Sequence, residues 1–248
     1  MQTAEFRFYT ELNDFFSHKQ RQKPIKFNFE LPGSVKHMIE SLGVPHTEID
    51  LILVNEQPVD FSYQVKDKDR ISVYPVFESF DINSVMRLHP KLLRDPRFIL
   101  DGHLGKLAAY LRMLGFDVRY ENDSDDAYMA HISEVEKRIL MTRDRGLLKR
   151  NLVTHGYFIR SNLPRDQLKE IVKRFHLENL IYPFKRCMVC NGLLQPVEKE
   201  KILDQLPPRT QEYFDTFQRC ASCHKVYWRG SHYQKMTALI QNFLNTDL

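Results

Sequence analysis

The stretch FILDGHLGKLAAYLRMLGFDVRY, Phe98–Tyr120, decides the fold class. Phe98, Ile99 and Leu100 make a short apolar strand that stops at Asp101. Leu104, Leu107, Ala108, Leu111 and Leu114 then recur at helical spacing and give the helix one apolar face. Gly115 closes it, because glycine takes the left-handed conformation of a helix end without steric cost. Phe116 to Tyr120 returns to a strand. A strand, a helix and a second strand in so short a span predict a crossover unit, and so parallel pairing.

The same alternation continues downstream. After the acidic ENDSDD, a helix is expected from about Asp126 to Lys137. Arg138 to Met141 is a third strand, and RDRGLLKR opens a short helix. Tyr157 to Arg160 is a fourth strand. Pro164 to Phe175 is a helix, with Leu168, Ile171, Val172 and Phe175 at core spacing. Residues 97–182 therefore read as an α/β domain, a parallel sheet with helices on both faces.

Upstream, residues 1–80 follow another pattern. Glu5 to Tyr9 and Ile25 to Leu31 alternate as half-buried strands do. Pro32-Gly33-Ser34 supplies a turn and a cap, and Val35, Met38, Ile39 and Leu42 mark a helix ended by Gly43. Ile49 to Val54 and Arg70 to Phe77 are further strands. The order β-β-α-β-β resembles the β-grasp, ubiquitin-like fold and, within it, the small sulfur carriers. Those carriers end in a free Gly-Gly tail, whereas here Phe77-Glu78-Ser79-Phe80 runs on. A docking role toward a protein partner is expected instead, the alternative being a domain that only packs or solubilises. Residues 81–96, with His89-Pro90 and Asp95-Pro96, read as a linker.

Residues 183–248 hold all 4 cysteines, as two CxxC pairs: Cys187 and Cys190, Cys220 and Cys223. Four thiolates around a tetrahedral Zn²⁺ make a closed, structural site. Redox chemistry by one pair would leave the other redundant. His155, His224 and His232 are further potential ligands, but four sulfurs already complete the shell. The spacer is long enough for a helix of its own around Arg209 to Phe217. KVYWRGSHY, Lys225–Tyr233, interleaves aromatic and basic residues, so Trp228 and Arg229 are candidates for stacking on single-stranded RNA. Equally, Tyr227 and Trp228 would serve to pack the ribbon. An amphipathic helix from about Tyr233 to Leu244 ends the chain.

Composition narrows the classes. At 42% hydrophobic and 12% aromatic residues, the chain builds a core rather than remaining disordered. No apolar run nears the roughly 20 residues of a membrane helix, and the N-terminus lacks a secretory pattern. A cytoplasmic protein without a membrane partner is expected. The net charge of +4 is uneven. Residues 1–80 carry 9 basic and 12 acidic side chains, residues 81–182 carry 18 and 14, and residues 183–248 carry 9 and 6. The basic excess lies in the last two thirds, which favours a polyanionic partner there.

Ligands of parallel α/β sheets bind beyond the carboxyl ends of the strands. There the sequence places Asp101 after the first strand, Asp123, Asp125 and Asp126 after the second, and Asp144 after the third. Grouped carboxylates repel unless a cation joins them, and carboxylate oxygens suit Mg²⁺ or Mn²⁺. Such ions beside a phosphodiester activate water and stabilise the leaving oxygen. Arg143, Arg145, Lys149 and Arg150 would hold flanking phosphates. Each acid also has a plainer reading. Asp101 and Asp144 would serve as helix caps, as would one of Asp125 and Asp126. No GxGxxG or P-loop lysine is present. His103 stands where an aspartyl phosphatase would have its second acid.

LDGHLGKLAAYLRMLGFDVRY, the Asp125-Asp126 pair, RILMTRDRGLLKR and the paired-CxxC tail together resemble the Mut-seven C-terminal RNase family, from about Phe98 to Tyr233. That resemblance implies a PIN-like nuclease fold with an appended zinc ribbon, often behind a β-grasp domain. It further implies metal-dependent RNA cleavage with the acids at Asp101, Asp126 (or Asp125) and Asp144. PIN nucleases commonly present a fourth acid. Here Ser161-Asn162 stands at the fourth strand end, and Asp166 follows in a helix's first turn, where an acid also suits the dipole. The leading expectation is a hydrolase of RNA. A non-catalytic RNA- or ribosome-binding adaptor and a protein-interaction module are the alternatives.

Overall fold

The computed structural model describes residues 1–75 and 96–246. In the N-terminal part, β1 (Gln2–Phe8) pairs antiparallel with β2 (Ile25–Phe29). Ser34 caps α1 (Val35–Ser41) by accepting the His37 amide at 3.2 Å. Gly43 ends that helix at φ 102, as the sequence requires. There follow β3 (Ile49–Val54), β4 (Gln57–Val59) and β5 (Arg70–Pro75), and the sheet order is β2-β1-β5-β3-β4. The parallel β1–β5 pair at its centre is the β-grasp arrangement. Strand β4 is an addition to the expected order. Asn55 and Glu56 both take left-handed φ, at 48 and 72, and turn β3 back on itself. Three residues are too few to show alternation in the sequence. The core is aromatic and aliphatic, built on Phe6, Phe8, Leu12, Ile39, Ile52 and Ile71.

The α/β part begins with β6 (Arg97–Leu100), α2 (Gly105–Met113) and β7 (Asp117–Tyr120). β6 and β7 pair in parallel from Arg97↔Asp117 to Leu100↔Tyr120. Gly115 closes α2 at φ 99, and a Cβ there would lie 2.1 Å from the Tyr182 carbonyl oxygen. Next come α3 (Asp126–Val135), β8 (Ile139–Thr142), α4 (Arg145–Leu148) and β9 (Gly156–Phe158), with β8 and β9 also parallel. Helix α5 (Pro164–Arg174) follows, with Leu168, Ile171 and Val172 buried. β8, apolar at Ile139, Leu140 and Met141 and buried at all four positions, is what a parallel sheet covered by helices demands. The fold class is α/β with a parallel sheet flanked by helices.

The C-terminal part is a three-stranded antiparallel sheet of β10 (Leu194–Val197), β11 (Phe217–Cys220) and β12 (Val226–Trp228) in that order. Between β10 and β11 lies α6 (Pro208–Tyr213), so the spacer helix stops short of Phe217. Phe217 instead opens β11 (Phe217–Cys220), which pairs with β12 (Val226–Trp228). A final helix, α7, spans Ser231–Thr246.

Contacts group the described residues into two compact units: 1–95 with 124–158, and 96–123 with 159–248. These units cross the segments read from the sequence, because helix and strand pieces of the α/β part pack with different neighbours. The expected linker, 81–96, lies outside the described residues but for Pro96.

Candidate functional site

Asp101 directly follows β6 at the start of a tight turn, Gly102–Leu104, and makes no side-chain cap bond there. The turn is clamped to the end of β7. The Tyr120 hydroxyl donates to the Gly102 carbonyl at 2.8 Å. A Cβ on Gly102 would meet the Asn122 carbonyl oxygen at 2.5 Å, so only glycine admits this approach.

In the other unit, Asp125 is the N-cap of α3 and accepts the Tyr128 amide at 2.8 Å. That assigns the cap, which the sequence left open between Asp125 and Asp126. Asp126 is the first helical residue, and its Oδ2 lies 3.6 Å from Arg150 Nη2. Asp144 caps α4, with Oδ1 accepting the Gly146 amide at 2.6 Å, while its own amide donates to Thr142 Oγ1 at 2.8 Å. Thr142 thereby fixes the exit from β8, and Asp144 itself stays exposed. Asp125, Asp126 and Asp144 do not gather into a tight metal-binding group in the manner of the cysteines, among the described residues.

The basic residues after Asp144 divide. Arg145 donates from Nη1 to the Phe15 carbonyl at 3.1 Å, and its guanidinium lies 4.9 Å from the Phe15 ring centroid and 5.6 Å from that of Phe158. Lys149 donates to the Glu40 carbonyl oxygen. Both are therefore engaged with the β-grasp elements rather than turned to a phosphate, whereas Arg143 and Arg150 are exposed. More contacts join the same surfaces. His46 spans Glu40 Oε1 at 2.7 Å and the Val153 carbonyl at 3.0 Å, and buried Glu48 accepts the Phe158 amide at 2.7 Å.

The cysteines come together. All four Sγ atoms lie within 4.8 Å of one another, with Cys187–Cys223 at 3.6 Å and Cys190–Cys220 at 3.3 Å. A tetrahedral ion with bonds of about 2.3 Å sets its sulfur ligands about 3.8 Å apart, so the cluster could hold a structural zinc. The two knuckles are alike. In each, the residue four places after the first cysteine takes a left-handed φ, Asn191 at 71 and His224 at 61, and donates its amide to that cysteine's carbonyl. Gly192 lies where the knuckles meet: a Cβ there would be 2.7 Å from Cys220 Sγ. Without a cation the thiols compete for protons. Burial raises Cys187, but the Tyr227 hydroxyl at 3.0 Å and the knuckle amides outweigh it and bring that thiol down to about 7. The Lys225 amide lowers Cys223, yet burial and the other sulfurs push it up to about 12.

Three residues that support this cluster carry no motif. Buried Arg112 on α2 donates to the Val118 carbonyl on one side and to the Val189 carbonyl at 2.8 Å on the other. Asn191 accepts the Val118 amide at 3.0 Å and donates to Asp117 at 2.8 Å. Arg186 reaches the second oxygen of Asp117 at 3.3 Å. The first knuckle is thus hydrogen-bonded to β7. A polar residue on the buried face of α2 was the available signal for Arg112.

Among the described residues no helix is long and apolar enough to cross a membrane. A family model described as the Mut7-C RNAse domain matches residues 96–240, and one described as Mut7-C ubiquitin matches residues 1–81. No curated protein and no solved structure matches the chain.

Proposed function

We propose, for a chain that belongs to the Mut7-C RNAse domain family, that it hydrolyses RNA phosphodiester bonds at an acidic Mg²⁺ or Mn²⁺ site formed by Asp101, Asp126 and Asp144. The observation that carries this reading is positional. Asp101 directly follows β6, Asp126 opens α3, and Asp144 follows β8, the places where parallel α/β sheets bind ligands. Their hard oxygen donors fit such a cation, which supplies an activated water and neutralises charge at the leaving oxygen. Asp126 and Asp144 bind through carboxylate oxygens. The α4 cap engages Oδ1 of Asp144, and the carboxylate would still be able to hold the ion. Asp125 holds α3 in place as its cap, and Arg143 and Arg150 bind phosphates. Zinc on Cys187, Cys190, Cys220 and Cys223 serves structure alone, since four sulfurs leave no position for water.

The test is cleavage of a labelled RNA with Mg²⁺ or Mn²⁺ by wild type, Asp101→Asn and Asp144→Asn. Each variant should lose more than the about 10- to 100-fold that removal of an outer partner costs a metal site. Wild type that cuts nothing in either metal, or variants that cut as fast as wild type, would overturn the reading. RNA bound but uncut would leave the adaptor role.

A further inference from the structure

A cavity of about 410 Å³ opens beside the cysteine ribbon, within the usual range for ligand sites. Its lining is aromatic and cationic. The Phe184 and Tyr233 rings meet with centroids 4.5 Å apart, tilted 35° to one another. Arg229 lies 5.6 Å over the Tyr233 ring, and Trp228 adds an indole. Lys185 and Arg186 complete the cationic side, and among the described residues no acid lines the cavity. Arg186 has Asp117 as partner, but Lys185 and Arg229 are exposed and meet no acid among the described residues. Phe184 takes a left-handed φ of 59, held by its amide bond to the Met113 carbonyl at 2.9 Å. A bulky residue rarely adopts that conformation, and it sets the ring against Tyr233.

We infer that this cavity binds one or two nucleotides of single-stranded RNA, bases against the Trp228–Tyr233–Phe184 aromatics and phosphates against Lys185 and Arg229. Charge and shape both select this occupant. Unpaired cations without acids favour a polyanion, and flat rings beside them favour one with exposed bases, which duplex RNA does not offer. The inference rests on RNA as substrate and adds an RNA-binding site built from residues other than the acids.

Trp228 is the sole tryptophan, so its emission reports occupancy directly. The zinc-loaded full chain would be titrated, without added Mg²⁺ or Mn²⁺, with an oligoadenylate of about eight nucleotides. Binding should quench or shift the emission, and the log–log salt slope should fall in magnitude by about 0.7 for each cation removed. Lys185→Ala with Arg229→Ala should weaken binding about tenfold with zinc content unchanged. Tyr233→Leu should weaken it at least about fivefold through lost stacking. Three outcomes would overturn the inference: RNA bound by anisotropy with the emission unmoved, the double variant binding as wild type, or polyglutamate binding as well as RNA. Because no cleavage enters this titration, its result is separate from the nuclease test. Emission that titrates in a protein that cuts nothing would sink the acid site and keep this one. RNA cut with the emission unmoved would do the reverse.

Discussion

The β-grasp elements and the cysteine ribbon are both attached to pieces of the α/β part, and by opposite physical means. The β-grasp part has a broad core of its own, with Phe6, Leu12, Ile39 and Ile52 all fully buried. It can spare its surface for docking: Arg145 and Lys149 reach its rings and carbonyls, and its own His46 reaches the Val153 carbonyl. Among the described residues, the ribbon's buried core cluster is Ile202, Leu206 and Phe217, with Val197, Phe214, Val226 and Trp228 partly buried against it. So small a core supplies little burial energy. Its order must come from the sulfurs and from the bonds of Arg112 and Asn191 to β7. A module with a core is held by its own interior. A module without one depends on its sulfur cluster and its neighbour.

That contrast breaks most visibly at the metal. Cys220→Ser, or stripping with a chelator, should remove the bound zinc and unfold the ribbon, since structural zinc contributes on the order of 10 kcal/mol in small domains. Metal analysis should show the loss and Trp228 emission should shift to the red. Hydrogen exchange over β1 and β5 should stay as slow as before. If those strands exchange faster too, the two modules are not independently held.

A smaller effect is expected from Arg112→Met. The carbonyls of Val118 and Val189 lose their buried donor, at a cost of about 3 kcal/mol. Urea denaturation should show a lower midpoint with an unchanged slope, and zinc affinity should fall with it. A midpoint like that of wild type would mean that the ribbon needs its ion alone.

The smallest is Arg145→Met on the β-grasp side. Loss of the ring contacts and of the Phe15 carbonyl bond should cost about 1–2 kcal/mol, because the guanidinium is only half-buried. As Arg145 adjoins Asp144, exchange of the Gly146 amide should rise. Exchange confined to the β-grasp residues would show that this contact does not steady the Asp144 turn.

Much of the molecule was legible along the chain because its cues are local. The 3.6-residue stripe of α2, the glycines at 43 and 115, and Ser34 before α1 act within a few residues of themselves. The CxxC spacing names its own chemistry. What resisted reading depends on partners far away in sequence. β4 has too few residues to carry a period, and Phe217 continues an apolar pattern that the sequence extends as helix but β12 pairs as strand.

The amino-acid sequence by itself determined the element types, the parallel character of the α/β part, the grouping of four thiols and the family, because hydrophobic period, glycine conformation and ligand spacing are properties of short segments. Tertiary structure alone decided which acid is a cap, that Arg145 and Lys149 turn to Phe15 and Glu40, and that Arg112 joins α2 to the first knuckle. An arginine beside an aspartate looks the same in sequence whether it faces a phosphate or an aromatic ring. Only packing decides between them, through the aromatic and carbonyl groups brought within reach.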